Sequence, residues 1–156
     1  MRGSIVTAIV IAIVASGAAV VLAHSTKDLP PGPIRDRHEL MEGIGKNAKT
    51  IGDALKSGKH DPIAKAAEDI HASAAKIAGL FPKGSADPKS RAKAEIWDHW
   101  DKFEKLSKEL EAKAGDLAQT ARSNGDVGAA ADAMFGNCKS CHDDFRKPEE
   151  KKGGKG

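Results

Sequence analysis

Apolar residues recur at alternating spacings of three and four in four separate stretches of this 156-residue chain, and that periodicity reads as helix. The first stretch runs through Met41, Ile44, Ala48, Ile51 and Leu55 and ends near Ser57-Gly58. The second carries Ile63, Ala67, Ile70, Ala74, Ile77 and Phe81, with Asp61 as its expected N-cap, Pro62 as first helical residue, and Pro82 and Gly84 as the stop. The third follows Asp87-Pro88, places Ile96, Trp100, Phe103, Ser107, Leu110, Ala114, Leu117 and Ala121 on one side, and closes at Ser123-Asn124-Gly125. The fourth begins at Asp126 and shows Val127, Ala131, Met134, Cys138, Cys141 and Phe145. No segment alternates as a strand would. Four amphipathic stretches with short polar connections predict an all-α chain, an antiparallel four-helix bundle with room for a cofactor between facing helices.

The fourth seam contains Cys138-Lys139-Ser140-Cys141-His142. Cys-x-x-Cys-His is the pattern to which c-type haem is attached: the thiols add to the two vinyl groups of one porphyrin and the histidine binds the iron. Three rival readings lack their companions. A thioredoxin-like Cys-x-x-Cys belongs beside a strand–helix–strand pattern, a structural zinc site needs a second pair of ligands, and a disulfide across two helical residues would staple almost nothing. One covalent haem c per chain, through Cys138 and Cys141 with His142 as axial ligand, is the expected cofactor. With two Trp, four Phe, no Tyr and many seam alanines, the side chains alone supply little core volume, and a porphyrin would supply the rest.

Residues 1–23 read as a targeting segment, with Arg2 as a minimal basic start and 19 uncharged, mostly apolar residues from Ile5 to Ala23. The expectation is either cleavage before His24 or retention as a membrane anchor, and in both cases export to the periplasm, where c-type haem is attached. Without that segment 24 Lys and Arg stand against 22 Asp and Glu, so no strong basic field points to nucleic acid. The expected organisation is a Pro-rich spacer over 24–33, one bundle domain over 34–147, and a disordered Lys/Gly tail over 148–156.

The ligand opposite His142 is approached by elimination. Met1 lies in the targeting segment, Met134 is two turns before His142 on the same helix, and no methionine follows His142. Met41 is the remaining thioether. His38, three positions earlier, is off the best seam register, and His24, His60, His71 and His99 are read as surface or half-exposed residues. Gly43 and Gly45 follow no strand and so make no nucleotide loop; they are read as room for the first helix beside the porphyrin.

A Cys-x-x-Cys-His on the last of four helices resembles the class II cytochromes c, the cytochrome c′ family. Three elements carry the resemblance: the haem helix Cys138-Lys-Ser-Cys-His-Asp-Asp-Phe-Arg-Lys147, the element Glu95-Ile96-Trp97, and Arg37-His-Glu-Leu-Met41. It implies Arg37 near a haem propionate, Arg146 as the basic residue after the ligand, and residue 41 facing the iron; Trp97 and Trp100 are read first as packing residues, with Trp97 also a candidate haem contact. In high-spin members an apolar side chain at that place leaves the iron five-coordinate and open to small gases. Methionine here points instead to the low-spin His/Met branch, because a thioether raises the potential and fills the sixth site. The resulting expectation is a non-enzymatic periplasmic electron carrier with redox protein partners and a possible homodimer; the alternative is a five-coordinate protein that binds NO or CO.

Overall fold

The computed structural model describes Leu29 and residues 31–148; the targeting segment and all but Pro148 of the expected tail lie outside them. Five helices occupy four bundle positions: α1 Pro33–Ser57, α2 Asp61–Ala74, the short α3 Glu95–Asp98, α4 Trp100–Arg122 and α5 Val127–Phe145. Among the described residues there is no strand, only an isolated bridge between Ala92 and Arg146, and no helix is long and apolar enough to cross a membrane.

Local chemistry accounts for most boundaries. Pro33, the last residue of the expected spacer, opens α1 instead, with its fixed φ suited to the first turn. Gly58 closes that helix at φ 66°. Its N–H bonds to Leu55 O, and that of Lys59 to Ala54 O, which is the Schellman pairing that a left-handed glycine makes possible. Asp126 caps α5 by accepting from Ala129 N at 3.0 Å. Asp61 does not cap α2: it is the first helical residue, and the helix has no side-chain cap.

Two helices end otherwise than the periodicity predicts. α2 stops at Ala74 and continues as a tighter 3-10 turn, Ala78–Leu80, closed by Leu80 N to Ile77 O and Phe81 N to Ala78 O at 3.0 Å each. Ile77 and Phe81, on either side of that turn, are both buried. The third stretch breaks at His99, φ −121° and ψ 45°. That break separates α3 from α4, and it buries Ile96 while leaving His99 exposed.

The core is alanine-rich in the closely packed pair α2 and α4: Ala66, Ala67 and Ala74 on the one and Ala114 and Ala118 on the other are all buried. Small side chains allow the close approach of two helix backbones. Gly115 belongs to this pairing, since a Cβ there would lie 3.3 Å from the His71 ring, which bonds Glu111 O at 2.9 Å. Bulk is concentrated at one end. Phe81, Trp100 and Phe145 surround Phe103 with centroid separations of 4.8, 5.6 and 5.5 Å, so most of the aromatic residues of a chain with few of them sit beside the end of α5. Met134 is fully buried.

Candidate haem site

α5 packs closely on α4, and α1 on α2, while α1 and α5 touch each other at few places. The chemistry-bearing residues lie on these two sparsely touching helices. On α5, Cys138, Cys141 and His142 are half-buried; on α1, Leu40, Met41 and Ala48 are half-buried against the core. Cys138 and Cys141 stand one turn apart, and neither forms a disulfide. Burial raises both thiols, Cys141 to about 11 with help from Cys138 and Asp144. They are therefore protonated at neutral pH, unlike the low-pKa thiolate of a redox-active Cys-x-x-Cys.

His142 is shifted the other way. Burial first, then the charges of Arg146 and Arg91, disfavours its imidazolium against the weaker pull of Asp143. A neutral ring keeps a nitrogen lone pair for a metal. Among the described residues no three His, Cys, Asp or Glu side chains converge as a metal cage. The donor set is one imidazole with two neighbouring thiols, which suits a porphyrin better than a bare zinc ion.

Arg37 supplies an independent mark of an anionic group. It is 4% exposed; Nε donates to Pro33 O at 3.1 Å, Nη2 donates to Ser85 O at 2.9 Å, and the guanidinium lies 4.5 Å over the Phe81 ring. Nη1 is buried with no partner. A buried donor left unmade costs about 1–3 kcal/mol, and a propionate oxygen is the kind of acceptor that would satisfy it. The residues present fit a covalent haem.

Trp97 is tied to a neighbouring loop. Its indole N–H donates to Phe81 O and Pro82 O, both at 3.1 Å, so its polar atom serves the loop after α2. Met41 lies one turn beyond Arg37 on α1, as the spacing requires, and His38 is exposed. Gly43 and Gly45 have nothing within 4 Å of a Cβ position. Arg146 ends α5 in extended conformation beside His142.

One contributor escaped the sequence. Residues 90–93 pair with 145–147 through Lys93 N to Phe145 O at 2.9 Å and Lys147 N to Arg91 O at 2.8 Å. The Lys93 ammonium donates to the carbonyls of Asp143 and Asp144 at 2.9 Å each, capping the helix that bears His142. No periodic pattern marks a loop lysine for this task. A weaker clue was available in Asn137, a buried amide before Cys138 that donates to Glu109 at 3.2 Å and ties α5 to α4.

The cytochrome c′ family model matches residues 32–146. Cytochrome c′ of Rhodopseudomonas palustris is 32% identical over 117 residues, 72% of this chain and 80% of the relative. That of Rhodospirillum rubrum is 32% identical over 123 residues, 75% and 83%. Among solved structures, cytochrome c′ from Thermochromatium tepidum superposes with a TM-score of 0.70 at 25% identity, covering 74% of this chain and 95% of that one. A cytochrome c′ described by its ligand-controlled dimer dissociation gives 0.69 at 26% identity, covering 77% and 100%. A bundle of this architecture, with attachment thiols and ligand on its last helix and matched over its whole length, has covalent haem c as its cofactor, through Cys138 and Cys141, and the chain belongs to the cytochrome c′ family.

Proposed function

We propose that this protein is a periplasmic monohaem cytochrome c′ that binds a small diatomic gas, NO or CO, on the iron face opposite His142. The observation that carries the reading is the match of the entire bundle, residues 32–146, to cytochrome c′. The relatives described above are cytochromes c′ and lend no support to the narrower low-spin His142/Met41 assignment. When bound, haem supplies an iron that takes one electron and one gas molecule.

The chain's own residues do the rest. Cys138 and Cys141 tether the group to α5, and His142 presents a neutral nitrogen. Arg37, whose buried Nη1 is unpartnered, would hold a carboxylate of the group. Met41 lies on α1 as a flexible apolar cover for the far face, for which a thioether is well suited. On this reading the protein carries or senses a gas rather than transforming a substrate. By likeness to the relative with ligand-controlled dimer dissociation, a homodimer is the proposed assembly.

Absorption spectra of ferric and ferrous holoprotein, with and without carbon monoxide, test the reading. A broad high-spin spectrum that shifts at once with the gas, and persists in Met41→Ala, is expected. Sharp low-spin ferrous bands, a ferric sulfur–iron charge-transfer band and indifference to the gas would replace it with the His142/Met41 electron carrier.

A further inference from the structure

The Glu95-Ile96-Trp97 element is the part of the sequence resemblance that haem ligation leaves without a task. Its tryptophan sends both of its indole hydrogen bonds into the turn after α2, to Phe81 O and Pro82 O. That turn is tightly built: Ser85 N donates to Pro82 O at 3.1 Å, the Ser85 hydroxyl donates to the same carbonyl at 2.6 Å, and Gly84 sits between them at φ +83°. A positive φ at the third residue is the requirement of a type II turn, which glycine meets without strain. Arg37 closes the circuit, since its Nη2 donates to Ser85 O and its guanidinium stacks on Phe81, at the other end of the same turn.

Two of the three features that hold Arg37 therefore belong to the 81–85 turn, and the third is the Pro33 carbonyl. We infer that Trp97 is a positioning residue: by anchoring the 81–85 turn it fixes the direction in which the buried, unpartnered Nη1 of Arg37 points. This rests on the proposed role of Arg37 toward a haem carboxylate. An arginine can orient a carboxylate only if its own planar fork is held, because its value over lysine lies in geometry. Both the tryptophan and the turn lie far from Arg37 in sequence, so the arrangement exists only in the folded bundle.

The test is the pH profile of the midpoint potential of the holoprotein, in which a carboxylate beside the iron appears as an inflection. Arg37→Gln removes the neighbouring charge and should raise that inflection by about 1–3 pH units. Trp97→Phe keeps the ring but not the N–H; it should move the inflection the same way by less, and should move nothing further in the Arg37→Gln background. Ser85→Ala, which removes only the hydroxyl bond to Pro82 O, should give a smaller shift of the same sign, and it decides the matter alone if Trp97→Phe does not yield folded holoprotein. A moved profile in Arg37→Gln with wild-type profiles in Trp97→Phe and Ser85→Ala would overturn the role of Trp97 alone. An unmoved profile in Arg37→Gln would overturn the Arg37 assignment and the positioning role with it. Equal, additive shifts in both backgrounds would show that Trp97 acts by packing rather than through Arg37.

Discussion

Replacing Lys93 by methionine should loosen the last turn of α5 while leaving the rest of the bundle intact. Methionine keeps the aliphatic stem but removes the ammonium that bonds the carbonyls of Asp143 and Asp144 at 2.9 Å each. These bonds are partly exposed to solvent, so each contributes about 1 kcal/mol, and a cation at a helix C-terminus adds about 0.3–1 kcal/mol. The backbone bond from Lys93 N to Phe145 O remains, which confines the loss to the side chain. A total of about 2–3 kcal/mol is about 30- to 150-fold in a local opening constant. Hydrogen exchange by mass spectrometry of holoprotein peptides covering residues 140–147 measures it, with α2 peptides as the internal reference. A drop in protection under about threefold would refute the reasoning, because it would mean that water serves those carbonyls as well as Lys93 does.

Three further outcomes follow from the same geometry. Phe103→Ala, at a site 3% exposed and touching three other rings, should cost about 3–5 kcal/mol in denaturant unfolding while the haem stays covalently attached. Cys138→Ala/Cys141→Ala should abolish covalent attachment, so that acid–acetone extraction strips all haem from the chain. Lys49 holds the Asp53 carboxyl below its ordinary 3.8 through a side-chain bond and its charge; this contribution is present above the ordinary carboxylate range and is lost as pH falls through it. Lys49→Ala should return the carboxyl toward that value in an NMR titration, and high salt should mimic the mutation.

Each half of the candidate site was legible to a different depth. Cys138, Cys141 and His142 could be read at once because attachment and ligation use one contiguous segment, whereas elimination among three methionines led to Met41 as an iron ligand, an assignment that the cytochrome c′ relatives do not support. The indole bonds of Trp97 to Phe81 O and Pro82 O were not legible. Which carbonyls an indole N–H reaches depends on where the 81–85 turn packs, and no spacing in the sequence encodes that. Lys93 was missed altogether, because a loop side chain that caps a helix 50 residues later leaves no periodic trace.

The sequence by itself determined the helical class, the seams that bury Ile44, Ile51, Ile63, Ile70, Phe103, Leu110 and Leu117, the end of the first helix near Gly58 and the start of the last near Asp126, and the place of haem attachment. These are local properties: a 3.6-residue period, a left-handed glycine and a five-residue motif act within a few turns of chain. Only the tertiary structure decided that α2 tightens into a 3-10 turn and that the third stretch breaks at His99. The burial of Arg37 with one nitrogen unpaired, and the closing of α5 by residues 90–93, belong to it as well. Each of these depends on which groups from distant parts of the chain meet in the core, where most buried polar atoms find a partner and every ring its own space.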